Sequence, residues 1–162
     1  GYIMSWAVAG PYYENNLSAD SLFKRELPPE LDVENANWKI MPILPDASPA
    51  FALELDRVIG GEERAAFLRT KIAAPEAMAA ILELGTNDGC RVWWNGTLIH
   101  SLNTGRPLSP GEDKLPVQLT AGENNLMIAV FQTGGAWGAT VRLVDKNGKP
   151  ISEITCTPAI SE

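Results

Sequence analysis

The side chains whose types and placement suit a polar, neutral ligand are Trp93, Trp137, Arg69, Arg91, Asn87 and Asp88. An indole offers a flat apolar surface on which the C–H face of a pyranose stacks, while amides, carboxylates and guanidinium groups around it fix the hydroxyls. Trp137 stands in Gly134-Gly135-Ala136-Trp137-Gly138, a glycine-rich connection that either presents the ring or plugs the end of a core. Trp93 alternates with Trp94, so if Trp94 fills a core, Trp93 points the other way, as a platform or as packing under a covering loop. Asn87 and Asp88 lie in a turn just before that strand. Their carboxamide and carboxylate can hold the turn through backbone bonds, meet a sugar hydroxyl, or contribute to a structural calcium site. Calcium asks for about six to eight oxygens, and no EF-hand spacing is present. Arg69 and Arg91 fall on outward strand faces, where they are solvated or reach a glycan.

Other chemistries find few residues to work with. His100 is the only histidine and there are two cysteines, which excludes multi-histidine metal sites and closed thiolate zinc sites. No G-x-S-x-G elbow, P-loop or dinucleotide fingerprint occurs. No pair of carboxylates stands out as the opposed acid and base of a glycosidase. The expectation is a binding protein rather than an enzyme, with no cofactor beyond that structural calcium. The net charge of −7 argues against nucleic acid and against anionic membranes as partners. No apolar run approaches the roughly 20 residues of a membrane-spanning helix. Cys90 and Cys156 either pair across a long loop, which suits an oxidising compartment, or remain as two buried thiols. Asn16-Leu17-Ser18 and Asn95-Gly96-Thr97 match the glycosylation sequon.

The elements that must position these groups read as β throughout. At 162 residues the chain suits one domain, spanning 1–162. A strand starting almost at residue 1 suggests a piece of a larger multidomain protein. Gly60-Gly61, Asn95-Gly96 and Asn147-Gly148 read as hairpin turns. Strands are expected at 5–9, 51–59, 64–73, 91–94, 97–101, 125–133, 139–144 and 150–155. Residues 75–84 have strong helix propensity but also alternate. Because an apolar strand follows within a few residues, the segment is expected to be a strand from about Ala79, with residues 85–89 as a hairpin loop. Residues 14–37 are polar and acidic and read as a long surface connection with a helical turn near 20–25. Trp94, Trp6 and Trp38 are expected in the core, Tyr12 and Tyr13 in packing or along a groove. Short strands at regular spacing suggest a sandwich or barrel.

Several stretches carry a family likeness. They are Trp6-Ala7-Val8-Ala9-Gly10-Pro11-Tyr12, then residues 82–96 (LELGTNDGCRVWWNG), then residues 119–126 (LTAGENNL), then Val141-Arg142-Leu143-Val144-Asp145 before Asn147-Gly148. Across roughly residues 65–150 the sequence resembles the galactose-binding-domain-like jelly rolls. These serve as carbohydrate-binding modules and as the sugar-binding accessory domain of family-two glycoside hydrolases. The resemblance implies an all-β jelly-roll sandwich of two antiparallel sheets. It further implies a non-catalytic accessory module of a secreted, extracellular or periplasmic multidomain protein, holding a glycan or polysaccharide near a catalytic neighbour. Neighbouring domains of the same chain would be its other partners. The alternative is a structural or protein–protein interaction sandwich that binds no sugar, with the acidic stretch at 26–37 as a docking element. One fold hosts many functions, so the likeness bears on architecture more than on ligand.

Overall fold

A computed structural model describes residues 1–160. In chain order the elements are β1 (Trp6–Tyr12), α1 (Ala19–Phe23), α2 (Pro28–Leu31), β2 (Lys39–Met41), β3 (Leu53–Glu54), α3 (Leu55–Val58) and β4 (Arg64–Ala74). Then follow β5 (Met78–Asn87), β6 (Cys90–Trp94), β7 (Thr97–Leu102), β8 (Asp113–Leu119), β9 (Gly122–Gln132), β10 (Gly138–Val144) and β11 (Thr155–Pro158). They form two antiparallel sheets, the sandwich that the resemblance implied and one of the two architectures that the strand pattern allowed. The large sheet runs β2-β1-β4-β9-β6-β7, and the small sheet runs β3-β10-β5-β8. β4 pairs with β9 along its whole length, while its other edge is shared by β1 and then β11.

The strand period sends alternate residues to opposite faces. Ala66, Leu68 and Ile72 of β4, Leu126, Ile128 and Val130 of β9, and Val92 and Trp94 of β6 fill the space between the sheets. Leu82 and Leu84 of β5 and Val141 and Leu143 of β10 meet them from the small sheet. The helix propensity of 75–84 loses to this: β5 pairs with both β8 and β10, and its apolar residues are worth more in a two-sided core than in an isolated helix.

The opposite face of the large sheet carries a second apolar cluster, built on Phe67, Ala129, Phe131, Ala7 and Ala9. Residues 14–37 cover it. They form not a bare connection but two short helices whose Leu22, Leu27 and Phe23 pack downward. The small residues Ala7, Ala9, Ala65 and Ala129 let this cover approach the strands.

Several expected elements differ. Residues 51–59 pair only at Leu53–Glu54 and then coil into α3. Leu53 and Leu55 both bury there, and Gly60 N–H donates to the Leu55 carbonyl at 3.0 Å, so Gly60-Gly61 ends a helical turn rather than a hairpin. Residues 85–89 are not a hairpin loop either. β5 continues to Asn87 in the small sheet and β6 begins at Cys90 in the large one, so the chain crosses between sheets here. A side chain at Gly85 would collide with the Ser109 carbonyl. The expected closing strand at 150–155 is replaced by a single bridge, Val144↔Pro150, because Pro150 has no N–H to extend a ladder. Ile151 plugs the inter-sheet core instead, and the last strand forms at β11, where β4 still has a free edge. Asn95-Gly96 turns β6 into β7 as expected, with φ of 47° and 83°.

Cys90 and Cys156 are both free. They sit on β6 and β11, with β9 and β4 between them. Three strand spacings of about 4.8 Å separate them by roughly 14 Å across the sheet, and the register adds six residues along the strands, from the row of Ala66 to that of Ile72, so they lie far beyond the reach of a disulfide.

Candidate functional site

Register fixes the outer face of the large sheet row by row. Ala9, Phe67, Ala129 and Arg91 form one row across β1, β4, β9 and β6, and Ala7, Arg69, Met127 and Trp93 form the next. Lys71 and Asn125 pair in the row beyond, beside the Asn95 turn. The cover closes over the first row and stops. Past it lies a groove of about 590 Å³. Trp93, Met127 and Arg69 make its floor, Lys71, Asn95, Asn125 and Glu123 one rim, and Leu31, Glu34 and Ile160 the walls.

Trp93 is half-buried, with its ring stacked on Phe67 at 5.9 Å between centroids. That contact holds the indole while leaving it at the groove. Arg69 is 8% exposed. Its guanidinium lies 4.4 Å from the Trp38 ring, donates to the Ala159 carbonyl, and pairs with Glu34 at 3.2 Å. Asn95 is tied into the same corner. Its Nδ2 donates to Asn124 Oδ1 at 3.2 Å, and its Oδ1 accepts the Asn125 N–H at 2.7 Å. Lys71 stands 3.7 Å from Glu123 on the open rim.

The other sequence candidates lie elsewhere. Trp137 is 1% exposed, donating its indole N–H to the Val130 carbonyl at 3.2 Å. It is a plug between the sheets, and the glycines around it serve passage of the chain rather than display of the ring. Arg91 faces outward from the sandwich but lies under the cover. It stacks on Phe23 at 4.3 Å and pairs with Glu30 at 3.2 Å. Burial pushes the Glu30 carboxyl up, against the pull of the Leu27 N–H and of Arg91.

Asp88 is 5% exposed and fully engaged. One oxygen accepts the Arg106 N–H at 3.0 Å, the other the Thr133 N–H and hydroxyl, both at 2.8 Å. Protein donors hold both oxygens, and the side chains of Asn87 and Asp88 together fall far short of the about six to eight oxygens that calcium takes. Asn87 Oδ1 is buried without a partner, but Asp88 offers it no free companion. Trp93 and Arg69 are therefore the candidates brought together. Asn95 was read as a turn residue and as the start of a glycosylation sequon, not as a groove residue, and Lys71, Asn125 and Glu123 were not singled out for binding. The alternation of β4 and β9 placed them outward, but only the pairing of those strands sets them beside Trp93.

No family model and no curated protein matches the sequence. Among solved structures the likeness is of fold. An anti-sigma factor domain-containing protein superposes with a TM-score of 0.57 at 14% identity, over 98% of this chain and 49% of its own. A GH2 β-galacturonidase from Eisenbergiella tayi, bound to glycerol, gives 0.50 at 7% identity over 87% and 23%. A PA14 sugar-binding domain from an RTX adhesin gives 0.44 at 21% identity over 57% and 51%, too loose a fit to bear on function. The chain thus spans about half the length, 49%, of the anti-sigma factor domain-containing chain and 23% of the β-galacturonidase chain. Among the described residues no helix is long and apolar enough to cross a membrane.

Proposed function

We propose that this chain is a non-catalytic carbohydrate-binding module, an accessory to a catalytic neighbour in an extracytoplasmic multidomain protein. The observation that carries the reading is Trp93, an indole held at the floor of an open groove whose rim is amide and charge. A pyranose ring laid on that indole buries its C–H face, and Asn95, Asn125, Lys71 and Glu123 meet its hydroxyls. Binding is favoured over hydrolysis because each acidic group of the groove already faces a cation: Glu30 faces Arg91, Glu34 faces Arg69 and Glu123 faces Lys71. A hydrolase needs one carboxylate free to attack or to activate water. The occurrence of a similar sandwich within a β-galacturonidase chain is in keeping with an accessory role.

The test is a titration of the chain with a panel of soluble polysaccharides, followed by tryptophan fluorescence in parent and Trp93→Ala. One class of glycan should quench the parent and leave the variant unchanged. A silent panel, or equal responses from both proteins, would overturn the proposal. A second reading, a docking domain without sugar binding, is favoured by Leu98 and Ile99, which are exposed on edge strand β7. It predicts the silent panel.

A further inference from the structure

On the opposite side of the large sheet from the groove, where β6, β7 and β8 meet, the fold gathers a thiol, an imidazole and a carboxylate. Cys90 opens β6 on the inner face. His100 on β7 pairs with its neighbour Val92 across the hairpin. Asp113 opens β8 in the facing sheet, paired with Leu84. Three strands of two sheets thus bring the single histidine of the chain to Cys90 and Asp113, each offering one ligand atom, with all three atoms within 4.8 Å of one another. His100 Nε2 lies 3.6 Å from Asp113 Oδ2, beyond a hydrogen bond, and is buried without a hydrogen-bond partner. A buried ring nitrogen held only at that distance can take a closer ligand.

We propose that Cys90, His100 and Asp113 bind a divalent ion of the zinc class. Around tetrahedral zinc, bonds of about 2.0–2.3 Å set neighbouring ligand atoms roughly 3.5 Å apart. The His100–Asp113 separation of 3.6 Å already matches that edge, and the Cys90 thiol needs a closure of no more than about 1.3 Å. One sulfur, one nitrogen and one oxygen donor suit zinc or cobalt and not the hard cations calcium and magnesium. The three protein ligands leave a fourth position to water.

Two neighbours set the competition for the ion. Arg106 holds Asp113 through both guanidinium nitrogens, Nη1 to Oδ1 at 3.1 Å and Nη2 to Oδ2 at 2.5 Å. It keeps the carboxyl ionised, and its own charge opposes a second cation. The thiol of Cys90 is pushed up to about 11 by burial, so it carries its proton until the metal displaces it. With thiolate and carboxylate both ionised, two negative charges face the ion and Arg106 together. The site uses none of the groove residues, so it stands whether or not a glycan binds.

Cobalt is the probe. Titrating the reduced chain with Co²⁺ should give a thiolate-to-cobalt charge-transfer band that saturates at one ion per chain and is bleached by Zn²⁺. The band should vanish in Cys90→Ser and in His100→Gln, weaken in Asp113→Asn, and persist in Cys156→Ser, which removes the other thiol. His100 lies half-buried on an edge strand, so His100→Gln tests the ligand set without opening the core. Absence of the band in the parent, or its survival in His100→Gln, overturns the site.

Discussion

Two adjoining strips of one sheet face are built from the same strands with the same alternation, yet one is sealed and the other open. The sealed strip holds Phe67, Ala129 and Arg91, and the open strip holds Arg69, Met127 and Trp93. Each strip contains an arginine stacked on an aromatic ring and paired with a glutamate. The side chain of Glu30, the partner of Arg91, is 12% exposed, whereas that of Glu34, the partner of Arg69, is 70% exposed. A charge pair under cover is committed, because removing one member strands the other without water. A pair at a groove can exchange its glutamate for a ligand at little cost. The difference lies in where residues 14–37 stop, not in the strands beneath.

The widest gap should appear between the two candidate tryptophans. Trp137→Ala empties a fully enclosed site and should cost about 3–5 kcal/mol, read from the urea midpoint. Trp93→Ala removes a half-exposed ring and should cost about 1–2 kcal/mol while abolishing the glycan response. Similar losses from both would mean that the groove is closed in solution. The arginines sharpen the same contrast. Arg91→Ala strands Glu30 and should cost about 3 kcal/mol or more, whereas Arg69→Ala, equally buried but with a partner that reaches water, should cost about 2 kcal/mol, from its lost packing and hydrogen bond.

The pH dependence bears on the sealed strip. Burial raises the Glu30 carboxyl above its ordinary value, so the folded state binds its proton more tightly than the unfolded chain does. That contribution is fully present below the ordinary glutamate pKa of about 4.3 and is lost as pH rises through the raised folded value. Urea midpoints taken upward from pH 4 should therefore fall more in the parent than in Glu30→Gln. Parallel slopes would place Glu30 in water. The smallest effect is expected at the rim: Asn125→Ala should leave stability within about 0.5 kcal/mol, yet weaken glycan binding about fivefold through the loss of one hydrogen bond.

Most of the strands were legible because a strand buried on one face must alternate, and turns must use residues that tolerate their dihedrals. β4, β6, β7, β9 and β10 follow that rule within a residue or a few. Residues 51–59 misled because their apolar side chains suit a helical turn as well as a strand. Residues 85–89 misled because turn-forming residues mark a change of direction without telling a hairpin from a crossing between sheets. Trp137 misled for a related reason: glycines around a ring show that the chain bends there, not which side of the bend meets water. Trp93 was placed on the outward face by its alternation with Trp94.

Composition, charge and local period were enough to determine an all-β sandwich or barrel, the orientation of Trp93 against Trp94, and the shortage of catalytic residue types. Local sequence acts over a few residues, and those properties are local. Which half of the outer face stays open, which glutamate is sealed, and whether Cys90 meets His100 and Asp113 were decided by the tertiary structure alone. Each depends on pairing between strands far apart in the chain, and that pairing is set by the burial of whole faces rather than by any residue's neighbours.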